Sequence, residues 1–349
     1  MPGSPGDRPI PSLTVGRVGE RELLARIRAR VPPAPPWVLV GIGDDAAVVE
    51  PERNRLDVLT TDALVEGVHF DRRLSTPGDI GWRAVAVNLS DLAAMGAAPR
   101  AALLSLALPA DLPLTDLDEL ISGVLAAAAA HSLTLVGGNI TQSPGPLVVD
   151  VTATGSVHRR RMLTRNGARS GDELFVSGTV GAAAAGLAWL RGGRAGNAET
   201  AGLSACADRY RRPEPRVRLG LLVGRNRAAT ACVDLSDGLA DGVHQLAEAS
   251  GLGAALDASA IPVDPEARAW WTARGQDPVA GALVGGDDYE LLFSVPRRVK
   301  RRFLASARQA GGVAVSQIGT MTAGPEIVLR RDGSVEPLPR GFAHFAGVL

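Results

Sequence analysis

Two short acidic words occur twice each in this chain. Gly43-Asp44-Asp45 returns as Gly286-Asp287-Asp288, and Leu89-Ser90-Asp91 returns as Leu235-Ser236-Asp237, the latter preceded by Asp234 and followed by Gly238. Each lies next to an apolar segment. Asp and Ser are ordinary helix N-caps, and Asp-Gly is an ordinary turn pair, so any one of them alone reads as a cap or a turn. The set reads differently. Asp45, Asp62, Asp91, Asp234 and Asp237 all stand at the ends of apolar segments, and such ends tend to converge. Converging carboxylates raise one another's pKa unless a cation neutralises them. With Thr60, Thr61 and Ser236 as further oxygen donors and no Cys or His cluster, the chemistry selects a hard cation, best Mg²⁺. Mg²⁺ held in this way usually serves phosphate substrates. Gly43, Gly137, Gly138, Gly238 and Gly286 would let backbone N–H groups approach those phosphates.

The elements that must position these residues can be read from periodicity. Residues 1–14, rich in Pro, Gly and Ser, read as a flexible tail. "GERELLARIRAR" has helical spacing and "VPPAPP" stops it. "WVLVGIGDDAAVVE" reads as strand, turn, strand. "LDVLTTDALV" reads as a strand that carries Thr60, Thr61 and Asp62. "DIGWRAVAVNLSDLAAMGA" reads as a buried helix bearing Asp91. "RAALLSLALP", "LTLVGGNIT" and "PLVVDVTATGSV" read as strands, and "DLDELISGVLAAAAAHS" as a helix. The polar, basic stretch near 155–172 marks a boundary. Beyond it come "ELFVSG", the helix "AAAAGLAWL", the strand-turn-helix "ATACVDLSDGLADGVHQLAEAS", and the strands "ELLFSVP" and "EIVLRRDG". The expectation is an α+β (mixed α/β) protein: a tail at 1–14, an N-terminal domain at 15–157, which the resemblance given below makes the ATP/Mg-binding one, and a C-terminal domain at 158–349.

Composition narrows the function classes. A length of 349 residues suits two domains. Thirty-seven basic residues balance 37 acidic ones, so no general charge favours nucleic acid or an anionic membrane. Lys300 is the only lysine, which excludes a Walker-type phosphate loop. The two cysteines, Cys206 and Cys232, are far apart and form no CxxC motif. No apolar run reaches the roughly 18 residues of a membrane span, and no signal peptide is read at the start. The expectation is a cytoplasmic protein.

Taken in order, "GIGDDAAVV", "LTTDALVEGVHF", "AVNLSDLAAMGA", "LVGGN", "MLTRNGARSGD", "VDLSDGL" and "GGDDYEL" resemble the motifs of the thiamine-monophosphate kinase family, from about residue 16 to the C-terminus. That family belongs to the superfamily of ATP-using enzymes that includes aminoimidazole ribonucleotide synthetase. The resemblance implies direct transfer of the ATP γ-phosphoryl group to thiamine monophosphate, assisted by several Mg²⁺ ions. It implies an aminoimidazole ribonucleotide synthetase-like fold whose N-terminal domains pair in a homodimer. Carried over residue by residue, Asp45, Thr60, Thr61, Asp62, Asp91, Asp234 and Asp237 resemble metal ligands or their neighbours. Gly138, Arg165 and Ser236 resemble nucleotide contacts. His69, Asp287 and Phe342 resemble contacts to thiamine monophosphate, although a structural His and a core aromatic are the competing readings of His69 and Phe342. The chain departs from the pattern twice: Asn139, a further metal ligand through its uncharged amide oxygen, stands where the family usually has Asp, and Asp287 where it often has Glu. These departures keep open a catalytically weakened nucleotide- or thiamine-phosphate-binding protein; another ATP-using member of the superfamily is the other alternative.

Overall fold

The computed structural model describes residues 13–192 and 201–341. Phe342 and all but the last two residues of the expected tail lie outside them.

The first half runs α1 (Val15–Val18), α2 (Glu20–Arg28), β1 (Val38–Val40), β2 (Val48–Val49), β3 (Leu56–Val65), α3 (Pro77–Ala94), β4 (Ala98–Pro109), α4 (Leu114–Ala130), β5 (Thr134–Ser143) and β6 (Val148–Val157). One sheet has the order β3-β6-β4-β5, with β4 and β5 parallel and the other neighbours antiparallel. Burial along β3 and β6 alternates, as a sheet covered on one side requires. Leu104, Leu106, Val149 and Val151 face the core with α3 and α4. The other face is open: Asp57 and Thr61 are exposed, Leu59 is 72% exposed and Leu103 44%.

The helix α3 is the central rod. Its start is set locally: Thr76 accepts from the Asp79 backbone N–H, the Asp79 side chain accepts from Thr76 N–H, and Pro77 occupies the first turn. Ile80, Val85, Val87, Leu89 and Leu92 make it apolar around its circumference, which suits a helix packed on every side.

The second half contains β7 (Glu173–Ser177), α5 (Ala182–Arg191), α6 (Ala201–Arg211), α7 (Val217–Asn226), β8 (Ala231–Asp234), α8 (Leu239–Ser250), β9 (Gly253–Asp257), α9 (Pro265–Thr272), α10 (Pro278–Val284), β10 (Leu291–Val295), α11 (Lys300–Gln309), β11 (Val315–Thr322), β12 (Ile327–Arg331) and β13 (Ser334–Pro337). Its strands form one sheet in the order β13-β12-β9-β11-β7-β10-β8. The pleat sends Phe175, Cys232, Leu291 and Phe293 to a core continuous with that of the first half, where Phe303 of α11 packs on both phenyl rings. Leu174, Val176, Val233 and Leu292 face a second core with α8. Because α3, α7 and α11 share the first core, the two sheets are tied by packing as well as by chain connectivity.

Candidate active site

Three acids meet where α3 passes between the sheets. Thr60 and Asp62, two residues apart on β3, point to the same side. Thr60 donates its hydroxyl hydrogen to Asp91, on the last turns of α3. One residue earlier, the Ser90 hydroxyl donates to Asp234 Oδ2 at 2.7 Å, across to the end of β8. Helix α3 therefore joins Asp62 of the first half to Asp234 of the second. Arg165, within the boundary stretch, lies close enough to act electrostatically on Asp91 and Asp234.

The two acidic words of the second half lie side by side. Asp287 N–H donates to the Ser236 carbonyl at 2.7 Å, Tyr289 N–H to Leu235 O at 3.0 Å, and Leu235 N–H to Glu290 O at 2.9 Å. The contact is so close that a Cβ on Gly286 would stand 2.5 Å from Ser236 O, and one on Gly238 2.8 Å from Leu283 O; only glycine fits either place. Asp287 and Tyr289 both have positive φ, a strained backbone that the surroundings must hold. Arginines hold it. Buried Arg83 of α3 donates to Asp287 Oδ1 at 2.6 Å and its guanidinium lies 4.5 Å from the Tyr210 ring centroid. Arg209 and Arg216 converge on Glu290, at 2.6 and 2.5 Å. Buried Asp288 accepts the Gly181 and Ala183 N–H groups at the start of α5.

The expected site residues fall into separate groups. Asp62, Asp91, Asp234 and Thr60 come together, with Arg165, Asp237 and Ser236 on the adjoining loops. The Ser236 hydroxyl donates to its neighbour Asp237 at 3.2 Å. Asp287 joins from the side of Arg83. Thr61 lies on the opposite, open face of β3, with Asp150 Oδ1 at 3.3 Å and Thr152 Oγ1 at 3.0 Å. Gly138 and Asn139 lie on β5, at the other edge of the sheet from β3. Asn139 is exposed, in the cross-strand row of Ala63, Asp150 and Ser105. Asp45 is exposed on the β1–β2 ribbon, with no side-chain hydrogen bond to any described residue. His69 follows β3, where its Nδ1 accepts the Val65 N–H at 3.1 Å, a structural bond. Sequence reading missed Arg83, Ser90 and Asp150. Asp150 had a signal, a lone acid in the alternating strand "VVDVTATG"; an arginine on a helix gives none.

Burial first, then the charges of Asp91 and Asp234, pushes the Asp62 carboxyl up to about 7. Burial and then Asp91 push Asp234 up to about 7 as well. Asp91 is raised by burial, with the Thr60 hydrogen bond and Arg165 opposing. The charge deficit and the all-oxygen donor set both fit a hard divalent cation. Among the described residues the acids do not close into a metal cage by themselves. An open set of this kind leaves coordination positions for water and phosphate oxygens.

The comparisons with known proteins bear on the family and the fold. The AIR synthase related protein N-terminal domain matches residues 43–157, and the corresponding C-terminal domain residues 169–332. The thiamine-monophosphate kinase of Escherichia coli K12 is 38% identical over 339 residues, covering 94% of this chain and 98% of that protein. That of Synechococcus elongatus is 35% identical over 340 residues, covering 95% and 98%. The crystal structure of the Stenotrophomonas maltophilia thiamine-monophosphate kinase aligns with a TM-score of 0.78 at 37% identity, over 89% of this chain and 96% of that one. AaThiL complexed with AMPPCP and TMP aligns at 0.75 with 33% identity, over 96% and 99%. The hydrogenase maturation protein HypE, at 20% identity and a TM-score of 0.74, shares the fold. The chain belongs to the thiamine-monophosphate kinase family.

Proposed function

We propose that this chain transfers the γ-phosphoryl group of ATP to the phosphate of thiamine monophosphate. A phosphate oxygen of thiamine monophosphate bonds to the γ-phosphorus, the bond from that phosphorus to the β-bridging oxygen breaks, and ADP leaves with thiamine diphosphate as product. The observation that carries this reading is the junction of Asp62, Asp91 and Asp234 beside Arg165, on elements from both halves of the chain.

The reaction brings two anions together, so positioning and charge neutralisation supply most of the rate. Asp62, Asp91 and Asp234, with Thr60 and Asp237, would hold Mg²⁺, which neutralises phosphate oxygens and aligns them when bound. Arg165 takes ATP phosphates with its planar fork, and Ser236 and Gly138 contact the nucleotide. Asp287, its carboxylate oriented by Arg83, faces the thiamine moiety, and His69 is a further contact to it. Asp45, Thr61 and Asn139 belong to ligand sites completed on the open face of the first sheet and on the separate β1–β2 ribbon. Phe342 completes the thiamine contact.

The exposed Leu59 and Leu103 support a homodimer in which the N-terminal halves of two chains pair beside those ligand sites. No described helix is long and apolar enough to cross a membrane, and under this reading the protein works in the cytoplasm.

The test is product formation from ATP, Mg²⁺ and thiamine monophosphate, resolved by chromatography, with thiamine as the control acceptor. Thiamine diphosphate made only from the monophosphate is the expected result. Free phosphate in its place would make the chain a phosphohydrolase; ATP binding without product would make it a binding protein.

A further inference from the structure

On the reverse side of the α3–α7 contact lies a cavity of about 550 Å³ that the proposed reaction does not use. Its apolar walls are Gly96, Ala98, Val157, Leu221 and Leu222. Its rim is basic: Arg55, His158, Arg161, Arg218 and Arg225, with no carboxylate in the lining. We propose that this cavity is a second anion site, separate from the acidic cleft, for a nucleoside phosphate whose base lies on the leucines and whose phosphates meet the arginines.

The sequence of α7 builds the site. Arg218, Leu221, Leu222 and Arg225 recur at i, i+3, i+4 and i+7, so they share one stripe, with an arginine at each end of a leucine pair. The opposite stripe, Val217, Gly220, Val223 and Gly224, is buried. At Gly224 a Cβ would stand 2.6 Å from the Arg161 carbonyl, so helix and boundary stretch meet backbone to backbone and the walls are fixed.

Charge favours an anion. Elsewhere some arginines of this chain pair with acids, as Arg26, Arg72, Arg209, Arg212, Arg216 and Arg331 do, while others stand on the surface without one among the described residues. On this rim, among the described residues, only Arg55 has one, Glu52 at 2.5 Å. Arg161, Arg218 and Arg225 make no side-chain hydrogen bond or ion pair to any described residue. Guanidinium groups suit phosphate by their fork geometry and weak hydration. The volume lies within the range of small-molecule sites, and an apolar floor with a few charged groups is their usual chemistry. A thiamine phosphate fits less well, because its ring cation would face arginines alone. The acidic cleft is elsewhere: Arg55 immediately precedes β3, whereas Asp62 lies well along it toward the other end.

This inference does not rest on the kinase reading, and its test avoids Mg²⁺. ADP binding to the full chain is measured calorimetrically in excess EDTA, for the natural protein and for Arg218→Glu/Arg225→Glu, Arg218→Gln/Arg225→Gln and Arg165→Ala. Metal-free ADP binding should weaken about tenfold or more in both α7 double variants, the scale of lost charge-assisted hydrogen bonds, and persist in Arg165→Ala. Both α7 positions are exposed, and the Gln pair keeps the test valid if charge reversal impairs folding. No ADP binding without Mg²⁺, equal affinity in the Gln pair, or loss confined to Arg165→Ala would overturn the proposal. Turnover of thiamine monophosphate by the Gln pair would show that the acidic cleft still works.

Discussion

At residues 43–45 the Gly-Asp-Asp turn caps a two-stranded ribbon. Asp44 and Asp45 are exposed, the Arg28 guanidinium lies over Gly43, and within the turn Asp45 N–H donates to Asp44 Oδ1 at 2.9 Å. At residues 286–288 the same three residues are enclosed. Asp287 meets Arg83 of α3, Asp288 meets the first amides of α5, and Glu290, two residues on, meets Arg209 and Arg216. One turn has its positive partners built into the chain. The other has almost none, and under the proposed function its partners are ligands. Under that same proposal the word serves once to preorganise a substrate contact and once to wait for a metal. The difference comes from the helices packed around it.

The acids joined by α3 give the largest expected effect. Asp91→Asn keeps the shape but removes the charge between Asp62 and Asp234. Turnover should fall by about a hundredfold to a thousandfold, the usual loss when one preorganised electrostatic group is removed. Steady-state rates at saturating ATP would show it. A fall of less than about tenfold would mean that phosphoryl transfer happens elsewhere.

The comparison sharpens when each Gly-Asp-Asp turn loses one partner. Arg83→Met leaves the Asp287 carboxylate, partly shielded from water, without its cation. Stability to urea should fall by about 3 kcal/mol, the low end for a broken buried pair because Asp287 keeps some solvent contact. KM for thiamine monophosphate should rise more than kcat falls. Adding Asp287→Asn should restore part of the stability and none of the affinity. Asp45→Asn, by contrast, should change stability by no more than about 0.5 kcal/mol, as exposed positions do, while raising the Mg²⁺ concentration needed for half-maximal rate. Equal stability losses at the two turns would erase the distinction.

These variants also show which parts of the site could be read from residue order alone. Apolar periodicity placed β3 and α3, and the acids at their ends did converge. The pleat, however, separates Thr60 and Asp62 from Thr61, although the three are consecutive, because neighbouring side chains on a strand point to opposite faces. The distance to Asn139 depends on the order β3-β6-β4-β5, which chain order does not reveal. Arg83, Arg209 and Arg216 lie on or beside helices, where arginine ordinarily reads as a solvated surface; only the packing of α3, α6 and α7 shows them aimed at residues 287–290. The continuous core joining the halves was equally hidden, since it needs one face of β7, β8 and β10 to turn toward α3 and α11.

Asp288 gives a smaller, pH-dependent effect. Burial pushes its carboxyl up to about 7, against the pull of the Gly181 and Ala183 amides. In the unfolded chain it titrates near 4, so between about 4 and 7 the folded state holds the extra proton. This group's contribution to stability therefore falls as pH rises through that window. Asp288→Asn removes the slope while its amide oxygen can still cap α5. Measured against that variant in parallel urea titrations, the natural protein should lose stability from about pH 4 to about pH 7. A relative gain over the same range would mean that the two amides and Arg209 hold the acid ionised.

The smallest effect is expected at Asn139, and it bears on the open turn rather than the enclosed one. Asn139 lies on the open face, far across its own sheet from β3, in a row that also contains Asp150. Its amide oxygen can bind Mg²⁺ but brings no charge, so the ions that serve this face should bind more weakly than a carboxylate would hold them. Asn139→Asp should lower the Mg²⁺ concentration at half-maximal rate a few-fold and leave the rate at saturating Mg²⁺ nearly unchanged. Asp45→Asn in the Asn139→Asp background should then cost less than in the natural chain, if both positions neutralise the same ions. Strictly additive effects would assign Asp45 and Asn139 to different ions, and an unchanged Mg²⁺ dependence would remove Asn139 from the metal chemistry altogether.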